Sequence, residues 1–392
     1  MIIFRNANYA NFLNEISDKR IICYGAGGTL KDFLCANNGH IRITEKIEAI
    51  LDNDTNISGK KIYINKRSVA VTTLSEFISA NNDLQNSVIL LLVSNKYIFE
   101  VIKQFDTISE FDGLVCYHGL TALDWGREIY PPLPLKPTLP TPKKNYQIPK
   151  IIHYCWFGHN KIPPLQQECI KSWGEFCPEY EMRLWNEETY DLSTVPIYVK
   201  QAYEAKKYAF VSDYVRLDVV YKFGGFYLDT DVELLKSIDI FSKYKSIFAF
   251  ETYNLINTGL IFGSISNDAD VKSLLDIYNN IIFKYEDNSF NMTACPYYHT
   301  DYFRTKKIQI NNTLQFLSEV LFLPSDFFSP LCETYTESGT KELTLFALTD
   351  NTYGIHRYEC SWFDKEQYND YYYAKKASKA INDRLLSDWR KF

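Results

Sequence analysis

Residues Ala209–Glu233 read AFVSDYVRLDVVYKFGGFYLDTDVE, and this stretch decides the fold of the second half of the chain. At helical period Phe210, Tyr214, Leu217 and Tyr221 form one apolar stripe, which predicts a core-facing helix from about Ala209 to Phe223. Asp213 and Arg216, three apart, sit side by side on the flank of that stripe, where an ion pair is expected. Gly224-Gly225 ends the helix, because glycine accepts the left-handed conformation at little cost. A strand is expected over Phe226–Val232. Its alternation puts Phe226, Leu228, Thr230 and Val232 on one face and Tyr227, Asp229 and Asp231 on the other.

Two carboxylates on one strand face repel each other unless a positive group stands between or in front of them. A hard divalent cation meets that need, since oxygen ligands suit Mg²⁺ or Mn²⁺. Such an ion bridging the phosphates of a nucleotide sugar would stabilise charge on a leaving diphosphate. An Asp-x-Asp alone carries little information. The composite of Ser212-Asp213, Arg216, Gly224-Gly225, Tyr227, Asp229 and Asp231 in fixed order carries much more.

Outward from this stretch, a strand is expected at Lys150–Phe157 (KIIHYCWF) and another at Tyr180–Trp185. Further strands are expected at Ser246–Glu251 and Thr258–Gly263, with a helix at Asp268–Tyr285. Upstream, Tyr130–Pro149 holds seven prolines in twenty residues. Proline fixes φ and removes a donor, so this segment reads as an extended linker. Before it, strands at Arg20–Gly25, Ile47–Leu51 and Ser87–Val93 alternate with helical stretches near Leu74–Ala80 and Lys96–Phe105. That alternation predicts a Rossmann-like parallel α/β sheet. The expected division is therefore residues 1–129, a linker at 130–148, and 149–392 ending in a basic tail.

The first α/β domain carries a glycine turn, Gly25-Ala26-Gly27-Gly28, after its opening strand, and Asp52 ends the next one. Glycines there would let backbone approach a pyrophosphate. Leu30 stands where the third glycine of a dinucleotide fingerprint belongs, so a domain that binds no dinucleotide is the preferred reading. An oxidoreductase or epimerase centred on this turn is the alternative, as is a non-catalytic scaffold. The scaffold sits poorly with four intact site residues, Asp213, Arg216, Asp229 and Asp231.

Composition narrows the partners. Forty-two Lys plus Arg against 48 Asp plus Glu leave a net charge of −6, which argues against a broad nucleic-acid surface. Thirty Tyr, 26 Phe and six Trp supply flat platforms for sugars and bases. Nine scattered cysteines without a C-x-x-C pair argue against a disulfide framework and favour a reducing compartment. Arg5 and Asn6 interrupt the start before a signal-like apolar run forms, and the run Val88–Val93 is far too short to span a bilayer. A cytoplasmic location is expected. The tail from Tyr371 has six Lys or Arg and two Asp. A solvated terminal helix is preferred there over a peripheral contact with anionic headgroups.

The motif A-x-x-S-D-x-x-R followed by G-G-x-Y-x-D-x-D resembles the sugar-binding region of the DXD glycosyltransferases. That family includes yeast mannosyltransferases and bacterial capsular polysaccharide transferases, and the clostridial glucosylating toxins are related. Ile148-Pro149-Lys150-Ile151-Ile152-His153-Tyr154-Cys155-Trp156-Phe157-Gly158 resembles the strand that opens the family's catalytic domain. Gly354-Ile355-His356-Arg357-Tyr358-Glu359-Cys360-Ser361-Trp362 resembles the end of that domain, with Arg357 where a second His is frequent.

The resemblance implies a GT-A-type catalytic domain and a metal-dependent, retaining hexosyl transfer in capsular or surface polysaccharide synthesis. The donor would be a nucleotide-diphosphate sugar, with uridine diphosphate preferred and guanosine-diphosphate mannose the alternative. The acceptor would be a saccharide, free or lipid-linked. It implies donor-sugar contacts for Asp213 and Arg216, base stacking for Trp156, and a donor contact for Tyr227. Asp231 would ligate Mn²⁺ or Mg²⁺ directly, with Asp229 on the ribose or on the metal through water. His356 or Ser361 would complete the metal shell, and Trp362 would close over the diphosphate. Asn257 would contact sugar and acceptor, although a plain turn asparagine reads equally well.

Overall fold

A computed structural model describes residues 1–7, 12, 15–36, 41–64, 67–80, 84, 86–118, 138–251, 255–335, 340–359 and 365–391. The described chain forms two units: Met1–Leu135 with Leu331–Asp350 and Lys365–Phe392, and Lys136–Pro330 with Asn351–Asp364.

In the first unit the apolar runs become β1 (Ile3–Arg5), β2 (Arg20–Tyr24), β3 (Ile47–Asp52), β4 (Lys61–Ile64), β5 (Arg67–Thr73), β6 (Ser87–Leu91) and β7 (Val115–His118). They form one sheet in the order β1-β7-β6-β2-β3-β5-β4. All neighbours are parallel except the β4–β5 edge hairpin. Helices α1 (Gly28–Ala36), α2 (Leu74–Ser79) and α3 (Ile98–Phe105) alternate with the strands, as the periodicity predicts. Thr73 starts α2 with a capping box, bonded to Glu76 in both directions.

The second unit contains β8 (Ile151–Cys155), α4 (Pro164–Phe176), β9 (Glu181–Trp185), α5 (Ile197–Glu204), α6 (Tyr208–Phe223), β10 (Gly225–Tyr227) and β11 (Val232–Leu234). It continues through β12 (Ser246–Ala249), β13 (Phe262–Ser264), α7 (Ala269–Ile277), α8 (Cys295–Thr305), β14 (Gln315–Leu317) and β15 (Val320–Leu323). The main sheet is mixed, in the order β14-β15-β12-β13-β10-β8-β9. β9, β8 and β10 run parallel, and β13 runs antiparallel to both β10 and β12.

Several sequence expectations change here. Val211, Val215, Val219 and Val220 are buried along with Phe210 and Leu217, so α6 is a core helix on most of its sides, not a one-striped one. The expected strand Phe226–Val232 is two strands in two sheets. β10 ends at Tyr227, and the amide of Asp229 donates to the Gly259 carbonyl at 2.9 Å, outside any strand. The Val232 amide then closes a turn on the Asp229 carbonyl at 3.0 Å. Asp229 and Asp231 therefore lie on the passage between sheets, not on one face of a strand. The helix expected over Asp268–Tyr285 stops at Ile277, and Thr258–Leu260 form a turn before β13.

The chain then forms β16 (Leu331–Tyr335) and β17 (Lys341–Phe346), an antiparallel pair in the first unit. β18 (Gly354–His356) pairs with β11 in the second. The last helix, α9 (Lys365–Trp389), belongs to the first unit. This division differs from the single run 149–392 read from sequence. Its cause is the buried face of α9: Ala374, Ile381 and Leu385 are buried, the Ser378 hydroxyl accepts from the Thr344 amide, and the Asn382 side chain accepts from the Phe346 amide. A solvated terminal helix is not what forms. Of the tail cations, Arg384 is held by Asp106 and Asp388, Lys379 pairs with Asp383 and Lys391 with Asp388. Residues 130–137 of the proline-rich linker lie outside the described residues; within its described part, the Pro140 carbonyl accepts from the Tyr244 hydroxyl at 2.7 Å. Among the described residues no helix is long and apolar enough to cross a membrane.

Candidate active site

The glycine turn after α6 sets the first site element in place. Gly224 and Gly225 have φ of 65° and 105°, a region that costs other residues strain. His153, on the neighbouring strand β8, fixes this turn. The Trp185 indole N–H donates to His153 Nδ1 at 3.0 Å, so Nε2 carries the proton and donates to the Gly224 carbonyl at 2.8 Å. Burial pushes the imidazole down to about 4, which keeps it neutral. The sequence showed His153 only as part of a resemblance; its latch role depends on a pairing it could not reveal.

From the turn, α6 carries Asp213 and Arg216 inward, 8% and 4% exposed. Arg216 Nη2 stands 3.2 Å from Asp213 Oδ1 and 3.0 Å from Asp229 Oδ1, so one guanidinium joins the helix carboxylate to the first aspartate of the D-x-D. Arg216 also lies over the Tyr227 ring, 4.9 Å from its centroid, and Nη1 donates to Cys295 Sγ at 3.6 Å. Burial opposes the Arg216 charge, but Asp229, Tyr227 and Asp213 hold it protonated well above the usual range. Burial also pushes the Asp213 carboxyl up to about 6, with Arg216 opposing.

Tyr227, expected to touch the donor, is 1% exposed and donates its hydroxyl to Asp229 Oδ1 at 3.0 Å. It orients a carboxylate. Gly259 closes the other side: a Cβ there would collide with Asp229 Oδ2, and its amide donates to Asn257 Oδ1 at 2.7 Å. Asn257 Nδ2 in turn donates to Glu251 Oε2 at 2.8 Å. Burial raises the Glu251 carboxyl, with Asn257 opposing. Neither Glu251 nor Cys295 was singled out in the sequence, and only their positions in space identify them.

The β11–β18 pair supplies the last part. Register matches Val232 with His356, which brings the imidazole Nε2 to 3.1 Å from Asp231 Oδ1. Asp231 Oδ2 accepts from the Glu359 amide at 2.9 Å. Burial alone would raise Asp231, but His356 and that amide outweigh it and hold the carboxyl low; burial opposes the His356 charge, and Asp231 raises it. Asp229, Asp231 and His356 each offer a ligand atom, all within 4.8 Å of one another. Trp156 stands half-buried, its indole N–H donating to the Asn160 carbonyl at 2.6 Å. Ser361 and Trp362 lie outside the described residues.

Comparison with known proteins agrees with the motif. Residues 163–252 match the family model of the glycosyltransferase sugar-binding region containing DXD motif. The chain is 36% identical over 101 residues to inositol phosphoceramide mannosyltransferase 3 of Schizosaccharomyces pombe, covering 25% of this chain and 28% of that protein. It is 28% identical over 120 residues to subversion of eukaryotic traffic protein A of Legionella pneumophila, covering 24% of this chain and 18% of that one. The chain thus spans under a third of the length of either relative. Among solved structures, the PaToxG glycosyltransferase aligns with a TM-score of 0.35 at 18% identity, over 41% of this chain and 70% of that one. A glycosyltransferase involved in the glycosylation of the major capsid of PBCV-1 aligns with a TM-score of 0.25 at 15% identity, over 45% and 82%. The chain carries a DXD glycosyltransferase sugar-binding region.

Proposed function

We propose that the second unit is a GT-A-type, metal-dependent retaining glycosyltransferase that moves a hexose from a nucleoside-diphosphate sugar to a saccharide acceptor. The convergence of Asp229, Asp231 and His356 within 4.8 Å carries this reading. Two carboxylates and an imidazole suit Mn²⁺ or Mg²⁺. The fit is supported by His356 Nδ1, which is buried without a hydrogen-bond partner among the described residues. A bound divalent cation would neutralise charge developing on the leaving diphosphate.

The chain's own groups do the positioning. Asp231 and His356 are the direct ligands in this reading, and Asp229 serves the ribose or the metal shell. Asp213 accepts hydrogen bonds from the donor sugar, while Arg216 holds Asp229 and Asp213 in place and faces the diphosphate. The half-buried Trp156 offers its face to the base, and Asn257 serves the sugar and acceptor. Ser361 and Trp362 remain assigned to the metal shell and the diphosphate cover. The acceptor oxygen bonds to the anomeric carbon on the face that the diphosphate leaves, and the acceptor proton passes to the departing phosphate. Fixed charges and orientation supply most of the rate.

A uridine-diphosphate hexose is the preferred donor. The relative whose name describes a mannosyltransferase supports a hexose and keeps guanosine-diphosphate mannose in the test. Both donors are titrated by calorimetry with and without Mn²⁺, and their hydrolysis is followed for the natural chain and Asp231→Asn. One donor should bind with metal and lose binding in the variant. Failure of every donor to bind or turn over with metal present would sink the proposal.

A further inference from the structure

The order β7-β6-β2-β3-β5 puts β3 on one side of β2 and β6 on the other. The carboxyl ends of β2 and β6 therefore flank the point where the sheet's winding reverses, the place where open parallel sheets bind ligands. A cavity of about 300 Å³ lies there, between the Gly25 turn, the end of β3 and the start of α3. That is the lower end of the roughly 300–1,000 Å³ range of ligand pockets and suits a single ring, not a dinucleotide.

Part of the turn is already engaged by a carboxylate. The Ala26 amide donates to Asp52 Oδ2 at 2.7 Å, and Asp52 Oδ1 accepts from the Asp54 amide at 3.0 Å. Gly25 has φ of 105°, and a Cβ on it would stand 2.5 Å from the Leu92 carbonyl oxygen, so packing against the chain itself explains this glycine. Among the described residues the lining contains Asp52 and Glu100 and no Lys or Arg, while Lys96 stands at the rim with its ammonium 4.6 Å from the Tyr97 ring centroid. A polyanion would meet two carboxylates inside the crevice.

The remaining lining points to hydroxyls. Tyr24, Asn53, Tyr97 and Gln104 complete the polar wall. Gln104 Oε1 accepts from the Tyr24 hydroxyl at 3.3 Å and from Asn53 Nδ2 at 3.1 Å, which fixes the amide. Tyr97 is 47% exposed at the rim, with the Lys96 ammonium over one face of its ring. Planar carboxylates and amides beside an aromatic ring are the chemistry that holds adjacent hydroxyls and the C–H face of a sugar.

We propose that this crevice is a second small-molecule site, which takes a neutral or amine-bearing monosaccharide. It does not depend on the reading of the Asp229–Asp231–His356 centre. The test is saturation-transfer NMR and calorimetry on the full chain with glucose, N-acetylglucosamine, glucosamine and NAD⁺ as probes. The natural chain is compared with Tyr97→Ala, Glu100→Gln and Asp231→Asn; Tyr97 and Glu100 are exposed, so both substitutions spare the core. At least one sugar should bind, keep its affinity in Asp231→Asn, and lose about tenfold in Tyr97→Ala and in Glu100→Gln. NAD⁺ should not bind. The proposal is overturned if no sugar binds, if binding disappears only in Asp231→Asn, or if NAD⁺ binds in the sugars' place.

Discussion

Arg216 Nη2 donates to Asp229 Oδ1 at 3.0 Å while standing 3.2 Å from Asp213, so one buried cation sets the spacing of two carboxylates. A fork that reaches two acids is not replaced by a point charge. Arg216→Lys should therefore lower donor turnover about a hundred- to a thousandfold, the usual effect of losing one preorganised charge-assisted contact. Turnover with Mn²⁺ and a circular-dichroism spectrum check this together. Near-natural turnover in a folded variant would contradict the role.

Gly259 is demanded by space. A Cβ there would collide with Asp229 Oδ2 and stand 3.1 Å from Arg216 Nη1. Gly259→Ala should cut turnover by at least about a hundredfold and weaken Mn²⁺ binding, whereas Gly27→Ala, which has nothing within 4 Å, should change neither. Metal titration of the two variants separates a local clash from a general loss of fold.

Much of this is legible in the sequence. The helix carrying Asp213 and Arg216, the Gly224-Gly225 stop and the parallel sheet of the first unit follow from periodicity and backbone chemistry, which act over a few residues. The meeting of Asp231 and His356 was legible only through resemblance, because the register of β11 on β18 links distant segments. The burial of Tyr227 and its bond to Asp229 were not legible, because strand alternation gives a face but not what covers it. The tail was misread for a related reason: net charge is visible in sequence, but the buried partners of Arg384 are not.

The His153 latch makes stability depend on pH. Its folded value of about 4 lies below the ordinary 6.5, chiefly through burial. Above 6.5 both states are neutral and the contribution is complete. As pH falls from 6.5 towards 4, the unfolded chain takes up a proton that the folded chain refuses, so stability drops by about 1.4 kcal/mol per unit. Burial holds His118 and His299 at about 3, which adds to the slope. His153→Gln should lower stability near neutrality and flatten the fall of the urea midpoint between about pH 6.5 and pH 4. An unchanged slope would mean that His153 is not buried neutral.

Asp388 tests how α9 is held in the first unit. Its carboxylate is fully buried, accepts from the Phe4 amide at 2.9 Å and from Arg384 Nε at 2.6 Å, and so ties the last helix to β1. Arg384 also donates to Asp106 and to the Ile2 carbonyl. Removing one member of a buried ionic cluster leaves its partners desolvated and unpaired, so Asp388→Ala should cost about 3–5 kcal/mol. Lys379–Asp383 spans the same helix with side chains 74% and 61% exposed, and Lys379→Ala should cost no more than about 0.5 kcal/mol. Urea unfolding of the full chain should show a large shift for the first variant and almost none for the second. Equal shifts would mean that charge on α9, not the buried carboxylate, holds the helix.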